Sequence, residues 1–255
     1  MSQGLKARLT SPLRQRADFS EVLAEPWVTL PALALMRRAV YLELDGHVDL
    51  GDLFEITGDP SGEIHFEGDL DRADRLGSGL ASGRAVVDGD VGNEAGLGMS
   101  GGILVINGKA GDRTGAASAG HKRGMTGGEL IVRRSAGAEA GAFMRRGLLV
   151  IGGDAGDRAG LGMIAGTVVV RGRAGHDTGL WSKRGSVIAL GPITPPATYA
   201  YACTYQPVHL RLILTRLRTH HGLSIHRRHL TGLYRRYSGD FAEQGKGEIL
   251  EWTAT

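Results

Sequence analysis

The chain has 255 residues, 42% of them apolar, enough to bury a real core in one or two domains. Its single cysteine, Cys203, excludes a disulfide framework and a cysteine-based metal cluster, and is read as a buried small hydrophobe. No apolar run approaches the ~20 residues of a membrane span. The start, MSQGLKARL, lacks a signal-peptide apolar region, so a cytoplasmic location is expected. The net charge is only +3. It is unevenly placed, with ten acidic residues and no Lys or Arg from Glu43 to Asp71, against seven arginines, five histidines and no acid from Thr198 to Gly239. Such asymmetry implies either docking surfaces of opposite sign or a basic tail folded back on the acidic N-terminal region.

Residues 1–62 are expected to form N-terminal strands that cap the rest of the chain, with Leu42, Leu44, Val48, Leu50, Leu53 and Ile56 as strand positions. Residues 63–191 are dominated by a repeat. After a degenerate first unit, Glu63 to Gly83, five blocks begin at residues 86, 105, 131, 150 and 169: VVDGDVGNEAG, VINGKAGDRTG, IVRRSAGAEAG, VIGGDAGDRAG and VVRGRAGHDTG. The spacings are 19, 26, 19 and 19, and the seven extra residues are placed in a loop around Ala116 to Met125. Each block is a short β-branched run followed by G-x-x-x-G, extended to G-x-x-G-x-x-x-G except where Arg134 replaces the first glycine. Nineteen residues are too few for a strand plus a crossover helix, which needs roughly 30. They suit one coil of a solenoid in which successive strands stack about 4.8 Å apart. The expected fold is an all-β solenoid, a right-handed parallel β-helix with glycine-rich coils of about 19 residues. Small residues such as Ala110 and Ala136 would point inward, and glycines would supply positive φ at the corners.

Gly191-Pro192 and Pro195-Pro196 mark the exit from the repeat. Residues 192–255 read as a basic, short helical C-terminal extension. One helix is expected from Pro207 to His220, with Leu210, Ile213, Leu214 and Leu217 on one face and Gly222 at its end. A second would run from Ser224 to Tyr234.

Gly96 to Gly101 matches G-x-G-x-x-G, but the repeat explains these glycines and residues 160–165 nearly copy them, so a dinucleotide site is not assigned. No Walker A, G-x-S-x-G or H-E-x-x-H motif occurs, and no catalytic or metal-ligating residue is assigned. His220, His221, His226 and His229 sit among arginines, which repel cations, and are read as solvated or subunit-facing. The basic C-terminal helix lacks a nucleic-acid recognition motif. The remaining candidate contacts are three basic pairs just before corner glycines: Lys122-Arg123, Arg145-Arg146 and Lys183-Arg184. The last two pairs share a repeat position two coils apart, about 10 Å along the stack. They suit an acidic ligand or a polyanion.

The stacked G-x-x-G-x-x-x-G units resemble the C-terminal β-helix domain of glutamate synthase, and the ending SGDFAEQGKGEIL, Ser238 to Leu250, resembles that of the C subunit of formylmethanofuran dehydrogenase. In methylotrophic bacteria the related assembly is the formyltransferase/hydrolase complex. The resemblance implies a scaffold subunit in a complex that transfers formyl from tetrahydromethanopterin to a methanofuran analogue and hydrolyses it to formate. Its implied partners are a zinc amidohydrolase-like A subunit, a molybdopterin-enzyme-like B subunit and a formyltransferase D subunit, with no cofactor held firmly by this chain. The alternatives are the C subunit of a molybdenum or tungsten formylmethanofuran dehydrogenase, and a stand-alone polyanion-binding solenoid.

Overall fold

A computed structural model describes residues 4–253; residues 1–3 and 254–255 of the expected terminal segments lie outside the described residues. The N-terminal part contains β1 (Leu5–Leu9), β2 (Ala17–Asp18), α1 (Ala32–Met36), β3 (Ala39–Leu42), β4 (Gly46–Asp49), α2 (Leu50–Leu53) and β5 (Phe54–Thr57). Leu42, Val48 and Ile56 lie on strands as expected, but Leu50 and Leu53 form α2 and Leu44 sits in an exposed turn. Asp52 explains the helix: its carboxylate accepts the backbone N–H of Asp49 at 3.1 Å, an N-cap contact that strand periodicity does not register.

The repeat region supplies β6 (Glu63–Glu67), β7 (Ala73–Asp74), β8 (Arg84–Val87), β9 (Ile103–Ile106), β10 (Glu129–Val132), β11 (Leu148–Ile151), β12 (Thr167–Val170) and β13 (Arg184–Ala189). Equivalent residues pair in parallel register: Val86 with Val105, then Ile131, Val150, Val169 and Ile188. A second line of parallel bridges joins Leu70, Val91, Ala110, Ala136, Ala155 and Ala174. Strand residues alternate between two apolar layers. Leu104, Leu130, Leu149 and Val168 belong to the inner core, whereas Val105, Ile131, Val150 and Val169 face the opposite side. Both faces are therefore buried, which is why each strand reads as an unbroken apolar run.

The glycines divide into two roles. Gly160 takes φ +70, the left-handed conformation expected at a corner. Gly156 has no positive φ. A Cβ there would lie 2.6 Å from the carbonyl carbon of Gly137 and from the backbone nitrogen of Ala138, so the requirement is close approach of stacked main chains. Within the long second repeat, Ala116 and Ala117 stay in the stack through backbone hydrogen bonds, and Gly124 rejoins it by donating to the Phe143 carbonyl.

The C-terminal part contains β14 (Ala200–Tyr205), α3 (Val208–His220), α4 (Arg227–Thr231), β15 (Leu233–Gly239) and β16 (Lys246–Thr253). The expected all-β, uniformly parallel β-helix is corrected here. The strands form a 12-stranded sheet, ordered β14-β15-β16-β13-β12-β11-β10-β9-β8-β6-β1-β5, and a four-stranded sheet, β4-β3-β2-β7. Both sheets are mixed: β1 runs antiparallel to β5, and β15 to both β14 and β16, while β2 is antiparallel to β3 and parallel to β7. The extension expected to be helical keeps its helices and also adds three strands to the main sheet. The helix at 224–234 shortens to α4 because Leu233 onward pairs with β16.

Helix α3 begins after Pro207 and ends at His220; Gly222, φ +61, follows its cap, and the Leu223 N–H donates to the Leu217 carbonyl. Leu210, Leu214 and Leu217 pack with Leu223, Ile225 and Tyr234 on the outer apolar layer. The basic segment thus covers the middle of its own sheet. It does not fold back on the acidic segment, whose β5 lies at the opposite end of the 12-stranded sheet from β14. No helix among the described residues is long and apolar enough to cross a membrane.

Candidate functional site

At one position of every repeat the backbone takes φ between +54 and +60: Arg75, Glu94, Arg113, Glu139, Arg158 and Asp177. From Glu94 onward this position stands two residues after the close-approach glycine. The side chains alternate in sign, and all but the last are joined in a ladder. Asp18 bonds Arg75 at 2.8 Å, Arg75 bonds Glu94 at 2.7 Å, and Arg113 bridges Glu94 at 3.1 Å and Glu139 at 3.2 Å. Arg158 completes it at 2.9 Å from Glu139. The Glu94 hydrogen bond keeps the Arg75 guanidinium above its ordinary pKa. Beside the ladder, Asp74, Asn93, Asp112 and Asp157 each accept a backbone N–H from the following repeat, at 2.6 to 3.0 Å.

The first part of this array, from Asp18, Asp74 and Arg75 to Asp112 and Arg113, lines an open groove of about 540 Å³ together with Arg16, Tyr41 and Glu43. Arg16, Arg75 and Arg113 are each paired with a carboxylate there. Each exposed pair is worth only about 0–1 kcal/mol alone. Together the pairs hold one repeat in register with the next, which is a structural task. Sequence reasoning missed the groove, although its signal was present: position 94 and its equivalents alternate Glu, Arg, Glu, Arg, Asp.

The basic corners lie elsewhere. The backbone N–H groups of Arg145 and Arg146 both donate to the Met125 carbonyl, and that of Lys183 donates to Met163. Lys122 and Arg123 stand on the loop just before Gly124, which bonds to Phe143, close to Arg145 in the chain. The repeat therefore brings all three pairs to one flank. Lys122, Arg123, Arg146, Lys183 and Arg184 are exposed and Arg145 is half-buried. Among the described residues none of the six makes an ion pair, in contrast to the arginines of the ladder. Arg184 has Lys246 beside it on β16. Trp181, half-exposed and at φ +59, lies at the same flank. Its N–H donates at 2.7 Å to the buried carboxylate of Asp240, a residue of the SGDFAEQGKGEIL ending. That ending thus latches onto the last repeat.

The histidine reading is corrected in part. His220 and His226 are exposed, but His221 and His229 are buried under the C-terminal segment. His221 lies 2.8 Å from Glu129, which also pairs with Arg216. Burial lowers the His221 pKa despite that carboxylate, and lowers His229 to about 4, helped by Arg228, His226 and Arg171. No group of three or more His, Cys, Asp or Glu among the described residues is arranged to hold a metal. Cys203, read as buried, is exposed on β14.

No family model matches the sequence, and no curated protein does. A solved structure does match. The chain is similar to a chain in the crystal structure of the formyltransferase/hydrolase complex from Methylorubrum extorquens in complex with methylofuran. The identity is 34%, over 98% of this chain and 100% of that one, with a TM-score of 0.80. The match spans nearly the whole of both chains. The chain belongs to the family of formyltransferase/hydrolase complex subunits.

Proposed function

We propose that this chain is the C-type, non-catalytic scaffold subunit of a formyltransferase/hydrolase complex. That complex moves a formyl group from tetrahydromethanopterin to a methanofuran-type carrier and hydrolyses it to formate, with the chemistry on A-, B- and D-type partners. The observation that carries the reading is the end-to-end likeness to a chain of that complex. The relative is a formyltransferase/hydrolase, which favours this reading over a molybdenum or tungsten dehydrogenase. Support for a scaffold comes from the polar side chains themselves. The carboxylates and guanidiniums of the ladder are engaged with each other, and the Asp and Asn column with backbone N–H groups.

The unneutralised cations at Lys122, Arg123, Arg145, Arg146, Lys183 and Arg184 fit a contact with the acidic part of a methanofuran-type carrier. They present stacked positive charge, and among the described residues none of them is in an ion pair with a carboxylate. Alanine at Arg145, Arg146, Lys183 and Arg184, within the assembled complex, is expected to weaken carrier binding and flatten its salt dependence. Titration of the carrier at two ionic strengths checks this. Unchanged affinity and unchanged salt slope would remove the carrier role and leave the corners as solvated surface.

A further inference from the structure

We propose that β14 and the first half of α3 form the docking surface for a partner subunit whose contact face is apolar at its centre and acidic at its rim. The proposal rests on membership of the multi-subunit family and goes on to say where the assembly is made. β14 is the terminal strand of the 12-stranded sheet and, among the described residues, pairs only with β15, so one row of its main-chain N–H and C=O groups is open there. It carries no charged residue, and Ala200 to Thr204 are exposed. The opposite edge is built differently. β5 buries Phe54 and Ile56 and turns Glu55 and Thr57 to solvent, so a charge guards it. An uncharged, uncovered edge strand is a pairing template that proteins rarely leave bare.

Just beyond β14, α3 continues the surface. Val208 and Leu212, one helical turn apart, are each 76% exposed, and Tyr201 on β14 is 59% exposed. Single exposed apolar residues are ordinary, but these three fall on the open edge strand and on the helix that follows it after Gln206 and Pro207. Beside them stand His209 and Arg211, and Arg218 follows in the last turn, on a helix with no acidic residue. Arg216 is engaged by Glu129, whereas Arg211 and Arg218 have no ion pair among the described residues. The positive rim selects an acidic partner. The apolar centre selects a protein over a polyanion, since phosphates gain nothing from Leu212 or Val208.

Cys203 is the single cysteine and stands on β14, so it reports on the edge directly. Alkylation of the native complex and of the isolated chain is the test. The isolated chain is expected to label readily and the complex to be protected. Leu212→Glu, at an exposed position, is expected to leave thermal stability unchanged and to abolish co-purification with partner subunits. Arg211→Ala with Arg218→Ala is expected to weaken assembly and to make it less dependent on salt. A complex whose Cys203 labels as fast as the free chain's, or a Leu212→Glu chain that assembles normally, overturns the interface while leaving the subunit reading intact. Protection in the isolated chain that grows with its concentration, or that nuclease removes, overturns it in favour of a second copy or a nucleic acid. A chain that co-purifies with no partner sinks both readings.

Discussion

Gly156→Ala is expected to cost about 3 kcal/mol or more of stability, because the added methyl has nowhere to go. It would sit 2.6 Å from the Gly137 carbonyl carbon and from the Ala138 nitrogen. Neither atom can move freely. The Gly156 N–H donates to the Ala136 carbonyl at 3.0 Å, and the Ala155 N–H donates to Arg173 in the next repeat at 2.9 Å. Relieving the clash would mean separating stacked repeats and losing their hydrogen bonds on one side. Gly98→Ala is the matched control. Gly98 takes φ +64 with nothing within 4 Å of an added Cβ, so only the left-handed backbone is penalised, by about 1–2 kcal/mol. Urea denaturation of both variants separates the two roles. Equal losses would show that stacking distance does not set the column to which Gly156 belongs.

Leu214→Ala is expected to cost about 2–5 kcal/mol, the range for a buried leucine whose site collapses poorly. Leu214 is fully buried, and with Leu210 and Leu217 it covers the outer layer formed by Val105, Ile131, Val150 and Val169. Loosening α3 would open that layer to water, so the variant should also bind a hydrophobic dye before it unfolds. The same region confers acid sensitivity. His229, held to about 4 by burial first and neighbouring positive charge second, and His221, lowered chiefly by burial, are neutral in the folded chain near pH 7. Their folded pKa lies below the unfolded value, so their contribution to stability is complete above about pH 6.5. It falls as the pH drops from there, for His229 toward about 4. A pH series of melting temperatures for the parent chain and His229→Leu checks this, and the variant should lose less in acid.

The fold is legible in the sequence where its information is repeated. Val86, Val105, Ile131, Val150, Val169 and Ile188 recur in phase, and they pair in that register. The ends carry no such copies. The antiparallel pairing of β1 with β5, and the β14–β15–β16 addition, depend on contacts between residues far apart in sequence, and they make the sheet mixed. Tyr234 to Ser238 read locally as a helix end and a polar tail; they lie on a strand because β16 supplies a partner. The apolar outer layer is visible as unbroken β-branched runs, but nothing local says that α3 covers it. The charge ladder is legible in principle, since its members stand at one repeat position and alternate in sign. The glycines beside them mask that alternation, because they dominate the period. The basic corners are found together on one flank, and the buried pair His221 and His229 could not be told from their exposed neighbours by composition.

The most direct test of the central claim is purification of the native assembly through this chain, followed by formyl-transfer and formate-release assays on the complex and on the chain alone. The expected result is recovery of partner subunits, with activity in the complex and none in the isolated chain. Turnover by the isolated chain, or its recovery without partners, would contradict it.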